Sequence, residues 1–521
     1  MKMRLNLRQG FGVPPVRMVI MIVIILAVAI AAFFIWQAVK PSATDVPQPD
    51  YWPTDGWRSS TPEAQGIYSD KLADLLLAVR EQNIQIHSLL VIRNDYVVAD
   101  ATFYPYDGQT VHNVASVTKS LMTALIGIAA DQVKLNLDDT MLSFFSDRAI
   151  ANLDERKEEI TVAHLASMSS GLDCTAEADE LTLQEMVASP DWVQFVLDRK
   201  VAWQPGERFV YCSPAIHLLS PILQHATGMT TLDFARQYLF EPLGFGEVMW
   251  PKDPQGYYNG WADVSLHPHD MAKLGFLFLH KGQWEAQQIV SRRWVEEATR
   301  AQMVTDDDLY GYGWWLDPAV ASGYHAVGRG GQYIYILPEW NMILVTTGGG
   351  FEMDEIAELL LASFSDFETP LPANPEAVAR LDRAIDAVVQ PPERTPVAAL
   401  PDIARLISGQ TYVFDPNPAD LESITFEFDD SSEATVSFNS TGSAPVGLDN
   451  VYRFSPGPDG RAVAFRGTWI DAQTFSLEYD GITNNDHSLL QFHFDGDRVD
   501  VNAQETAHDA SAPFAGWLQR P

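Results

Sequence analysis

Residues 113–132, NVASVTKSLMTALIGIAADQ, decide how this chain is read. The run is apolar on almost every face, so it reads as a helix buried in a core rather than one lying on a surface. Yet Ser116 and Lys119 sit in its first turn. Three residues apart on a helix, they share a face and reach each other. A buried lysine that gives up its proton beside a serine hydroxyl is a base beside a nucleophile. The spacing alone also fits a capping serine and a lysine reaching for solvent, and it arises by chance about once in a chain of this size. No other lysine in the sequence has a serine three residues upstream.

The 521 residues suit two or three domains, and at 46% hydrophobic they can build large cores. The charge is lopsided, with 34 basic against 69 acidic residues and a formal net charge of -35. Phosphate recognition needs a basic footprint, so nucleic acid is excluded as a partner. There are two cysteines, Cys174 and Cys212, with neither zinc spacing nor a CxxC pair. They either pair in an oxidising compartment or stay as buried thiols.

Residues 1–17 form a basic segment carrying Lys2, Arg4, Arg8 and Arg17. Residues 18–39, MVIMIVIILAVAIAAFFIWQAV, contain no charge and are long enough to cross a hydrocarbon core of about 30 Å. They read as an uncleaved transmembrane signal anchor, with a cleaved signal peptide as the alternative. The basic flank stays cytoplasmic, which makes the protein single-pass and places the rest outside. Residues 40–56 are a linker rich in proline and aspartate.

Residues 57–388 mix helices and strands: a helix over 71–83, a hairpin over 86–103, strands over 324–350 and a helix over 356–367. Strands at both ends with helices between imply an antiparallel sheet assembled from distant segments, an α/β (α+β) layout. A second linker covers 389–406. Residues 407–521 are all-β, with SITFEF alternating at Ile424, Phe426 and Phe428 and further strand-like runs to about Gln504. They read as a sandwich or barrel.

Two more segments join the S-x-x-K helix. PGERFVYCSPAIHLL (205–219) presents Tyr211, Cys212 and Ser213 on a turn before a helix. VGRGGQYIYILPE (327–339) is a glycine-rich entry to a strand, with Arg329, Gly330 and Gly331. Ser-x-x-Lys, Tyr-x-Ser and a basic residue before Gly-Gly, in this order, resemble the penicillin-recognising serine hydrolases. The resemblance is closest to the class C β-lactamase-related branch, which also holds esterases, D-amino-acid peptidases and nylon-oligomer hydrolases. LASMSSGLDC (165–174), LHPHDMAKLGFLFLHKGQW (266–284) and YGYGWWL (310–316) look like the same branch.

The resemblance implies a β-lactamase/transpeptidase-like sheet with a helical lobe and an acyl-enzyme on Ser116. Lys119 shares the proton network, and Tyr211 is the base and later the acid. The backbone N–H groups of Ser116 and Gln332 form the oxyanion hole. Ser213, Arg329, Gly330 and Gly331 contact a small-molecule or peptide-like ester or amide. No cofactor or metal is implied; the HPHD motif at His267 falls where the family has a helix cap. In the family fold, SSGLDC and YCS both border the cleft, which implies a Cys174–Cys212 disulfide. The chain departs from the family in having Ser213 where an asparagine is usual, and no hydroxyl at Gly330. These departures favour ester or amide hydrolysis over β-lactam turnover. A D-alanyl-D-alanine carboxypeptidase or β-lactamase-type penicillin-binding protein is the alternative, followed by a non-catalytic envelope module of the same fold.

Overall fold

The computed structural model describes residues 48–175, 180–305, 308–364, 370–417, 419–429, 431–439, 442–457, 460–506 and 510–520. The chain divides into two units, Met1–Pro47 and Gln48–Pro521. The first unit, with the expected anchor at 18–39, lies outside the described residues. Among the described residues, no helix is long and apolar enough to cross a membrane.

Helix α1 (Ser69–Glu81) leads into the hairpin of β1 (Ile86–Arg93) and β2 (Tyr96–Thr102). The decisive stretch forms α2 (Val117–Asp131), with 13 of its 15 residues buried. A lobe of short helices follows, with Val162–Ala166, Ser213–His217 and Leu219–Thr227 among them. The chain returns through α3 (Pro268–Leu279), whose N-cap is His267. It then adds six strands: β3 (Met303–Val304), β4 (Leu309–Tyr310), β5 (Trp315–Asp317), β6 (Gly323–Gly328), β7 (Gln332–Leu337) and β8 (Met342–Gly348). The sheet order is β2-β1-β8-β7-β6-β5-β4-β3, and every pairing is antiparallel.

All eight residues of β1 are buried, because helices cover both faces of the sheet. On one face α2 and α3 pack against β6, β7 and β8. On the other lie α1, α4 (Asp354–Leu361) and α5 (Pro375–Val388). The helix expected over 356–367 is α4 as far as Leu361, and residues 365–367 lie outside the described residues. Helix α5 has no counterpart in the sequence reading. Its signals were nonetheless present: Asn374 accepts from the Ala377 N–H as a cap, and Leu381, Ala384 and Val388 mark a buried stripe.

The C-terminal part is a barrel of ten strands: β9 (Thr411–Phe414), β10 (Ser423–Phe428), β11 (Glu433–Phe438), β12 (Ser443–Gly447), β13 (Arg453–Pro456), β14 (Ala462–Trp469), β15 (Thr474–Asp480), β16 (His487–Asp495), β17 (Arg498–Glu505) and β18 (Ala510–Leu518). The order is β12-β11-β10-β9-β18-β17-β16-β15-β14-β13, and a parallel contact between Gly447 of β12 and Arg466 of β14 closes it. This contact covers part of the edge that an open sheet would present, with β13 pairing along another part of β14. Ile424, Phe426 and Phe428 point inward as their alternation requires, joining Phe475, Phe492 and Val501. Asp402–Ile407, partly inside the expected linker, forms a short helix whose Ala404 and Ile407 enter the barrel core.

Candidate active site

The turn ahead of α2 is built to project Ser116. Ala115 takes φ 44°, a left-handed conformation that costs an L-residue about 1–3 kcal/mol. The Asn113 side chain holds it there, Oδ1 accepting from Ala115 N–H at 2.8 Å. Ser116 occupies the N-cap position but makes no side-chain cap. Its Oγ instead accepts from Lys119 Nζ at 2.7 Å, and Nζ also donates to the Trp261 carbonyl at 2.9 Å. Lys119 is 2% exposed, so it does not reach for solvent. Its Nζ lies 4.8 Å from the Tyr211 ring centre, a cation–π distance. Ser116 and Tyr211 line one cavity of about 1090 Å³, and Lys119 is buried next to it, bonded to Ser116.

Tyr211 stacks on Trp315, and its turn is fixed by a disulfide between Cys174 and Cys212, with Cα atoms 5.9 Å apart. Trp261 and Trp315 wall the cavity, whereas Trp250 and Trp314 are core residues. Ser213 begins a helix, is 1% exposed, and donates to Glu180 Oε1 at 3.3 Å. Glu180 lines the cavity and Ser213 does not.

On the strand opposite the nucleophile, the glycine that meets the Ser116 turn is Gly328 rather than Gly330 or Gly331. A Cβ on Gly328 would lie 2.3 Å from the Val114 carbonyl oxygen and 3.1 Å from the Ala115 Cβ. Gly328 is therefore the glycine that lets β6 press against the nucleophile turn. Gly330 and Gly331 form the hairpin beyond it, with φ 84° and 95°, facing Asn485 and Phe351. Neither lines the cavity. Gln332 starts β7 and is fully buried, its amide donating to the carbonyls of Gly348 and Arg329. It does not line the cavity either, while Val327 and Arg329 do. Three glycines within four residues made the register ambiguous in the sequence.

The barrel supplies part of the site, and no sequence motif marked it. Its 481–486 turn, GITNND, lies over the cavity mouth. Thr483 O accepts from Asn113 N–H at 2.9 Å, and Asn484 Oδ1 accepts from Asn113 Nδ2 at 2.8 Å. Arg329 donates from Nη1 to Glu505 Oε1 at 2.7 Å. From Nη2 it donates to Asp486 Oδ1 at 2.7 Å and Asn485 Oδ1 at 2.8 Å. The residue expected to anchor a substrate carboxylate thus ties the barrel to the cleft. Asn484, Asn485, Asp486 and Glu505 all line the cavity.

Burial sets the protonation of the inner wall. It pushes the His325 imidazole down to about 4, which keeps the ring neutral. It pushes the Tyr335 phenol up to about 12, with help from Asp317 and Asp308.

The family model described as Beta-lactamase matches residues 72–359, more than half of the chain and the part bearing Ser116, Lys119 and Tyr211. The 6-aminohexanoate-dimer hydrolase of Paenarthrobacter ureafaciens is 23% identical over 312 residues, covering 55% of this chain and 79% of that protein. Protein flp of Staphylococcus aureus (strain MW2) is 22% identical over 164 residues, 30% of this chain and 33% of that protein. Among solved structures, the octameric penicillin-binding protein homologue from Pyrococcus abyssi has a TM-score of 0.47 at 18% identity, covering 85% of this chain and 99% of that one. With a buried lysine bonded to the serine at the N-cap of α2 and the family match across the same residues, this chain belongs to the Beta-lactamase family and is a serine hydrolase.

Proposed function

We propose that the protein cleaves an ester or amide through an acyl-enzyme on Ser116. The observation that carries this reading is the 2.7 Å contact between Lys119 Nζ and Ser116 Oγ at the wall of a large cavity. Ser116 Oγ attacks the carbonyl carbon while its proton passes into the Lys119–Tyr211 pair. The tetrahedral oxyanion is held by the backbone N–H of Ser116 at the start of α2 and that of Arg329, the residue after Gly328. The bond to the leaving oxygen or nitrogen breaks as Tyr211 returns the proton to it. Water then repeats the sequence on the acyl-enzyme and frees Ser116. Two fixed donors matter because losing one typically costs about 100–1,000-fold in rate.

The site acts outside the cytoplasm, anchored to a membrane by residues 18–39. The charge-free run behind four basic residues supports this. So does a disulfide joining the two cysteines of the chain, since such bonds persist in oxidising compartments. Ester or amide substrates are favoured over β-lactams, because the Arg329 guanidinium is already engaged by Asp486 and Glu505.

The test is intact mass after fluorophosphonate treatment, with ester turnover measured alongside. The wild type takes up one equivalent. Ser116→Ala takes up none and stays folded. Lys119→Ala loses nearly as much activity, since residues acting as a unit are not additive. Lys119→Arg does not restore it, because a guanidinium stays charged. Label on Ser116→Ala with ester turnover retained would move the nucleophile elsewhere.

A further inference from the structure

The cavity around Ser116 is unbalanced in charge. Glu180, Asp263 and Asp308 line it from the hydrolase part of the chain, and Asp486 and Glu505 enter it from the barrel. Against five carboxylates the lining carries Arg329; Lys119, bonded to Ser116 Oγ and the Trp261 carbonyl, is not part of it. The Arg329 guanidinium is already bonded to both barrel carboxylates. One positive charge held by two negative ones offers an incoming anion no net attraction. His325 adds none, because burial keeps its ring neutral. Its Nδ1 is buried without a hydrogen-bond partner among the described residues. The walls between these groups are aromatic. Tyr211, Trp261, Trp315 and Tyr333 present ring systems of the kind that attract a cation.

We propose that Asp486 and Glu505, brought in by the barrel, make this active site selective for acyl compounds carrying a cationic amine, and hostile to those carrying a free carboxylate. The inference rests on the reading of Ser116 as nucleophile. A substrate carboxylate would enter among like charges in a cleft partly removed from water, where repulsion is stronger than in bulk. A cationic amine would meet carboxylates and aromatic faces together. The barrel turn is a fixed wall for such a substrate. Asn113, whose Oδ1 holds the strained residue before Ser116, also holds Thr483 and Asn484. One asparagine therefore sets both the nucleophile and the barrel turn, so selectivity and chemistry share a common frame.

The experiment uses the full chain and three p-nitrophenyl esters of equal acyl length, ending in trimethylammonium, methyl or carboxylate. The expected order of kcat/KM is cation above neutral above anion, with about tenfold or more between the extremes at low salt. Added salt should compress that ratio. Asp486→Asn combined with Glu505→Gln should reduce the cation-to-anion ratio several-fold. In the wild type, an anionic ester turned over as well as the cationic one overturns the proposal without help from any variant. An unchanged ratio in the double variant overturns the role given to the barrel. Failure to hydrolyse any of the three esters, with no label on Ser116, would bring down the reading of the nucleophile and this inference with it. Turnover of the methyl ester without charge preference would bring down this inference alone.

Discussion

Replacing Gly328 by alanine probes the register of β6 against the nucleophile. The added Cβ would fall 2.3 Å from the Val114 carbonyl oxygen. An ordinary carbon–oxygen contact needs about 3.3 Å or more, so strand and turn must separate by about 1 Å. The neighbours cannot yield cheaply. The nearest atom is backbone, and the Gln332 and Ala115 Cβ atoms close the space at 3.0 and 3.1 Å. Overpacking of this kind costs about 1–3 kcal/mol of stability. The catalytic loss should be larger, because Val114 and Ala115 precede Ser116 and Arg329 follows Gly328. A displacement of about 1 Å between nucleophile and oxyanion donors costs about 100-fold. The assay is the second-order rate of fluorophosphonate labelling, read beside circular dichroism and the thermal midpoint. Gly328→Ala should remain folded, melt a few degrees lower, and label about 100-fold more slowly. A folded variant that labels at the wild-type rate would refute the placement of β6 and the oxyanion donor assigned to it.

Two further outcomes are expected. The Cys174–Cys212 bond spans 38 residues of sequence, for which loop-closure entropy gives about 4 kcal/mol; Cys174→Ser should lower the midpoint of denaturant unfolding, and an unchanged midpoint would contradict the pairing. Burial alone would raise the Glu478 carboxyl, but hydrogen bonds from His487 and Arg466 outweigh it and hold the group at about 2. An unfolded glutamate titrates near about 4.3. The folded value is depressed, so this stabilisation is fully present above about pH 4.3 and is lost as pH falls through about 2, amounting to about 3 kcal/mol. Denaturant unfolding across that window should show the loss, and Glu478→Gln should flatten it.

What the sequence determined by itself is what local period and chemistry dictate. The all-round apolar run of 113–132 predicted a buried helix, and a buried Lys119 three residues from Ser116 had few partners other than that hydroxyl. The alternation of Ile424, Phe426 and Phe428 set which faces turn inward. The hairpin over 86–103 was legible because both of its strands and its turn lie in one short segment. The tertiary structure decided what depends on residues far apart in the chain. Barrel closure requires β18 to pair with β9, about a hundred residues away, and no local pattern selects that partner. Which of Gly328, Gly330 and Gly331 meets the nucleophile turn depends on contact with Val114 and Ala115, more than two hundred residues earlier. Arg329 looked like a hand for a substrate carboxylate because its charge is visible in the sequence and its partners are not. Asn485, Asp486 and Glu505 reach it only because the barrel docks on the cleft. Side-chain chemistry is local, but the occupancy of a charged group is set by whatever packing brings within hydrogen-bond distance.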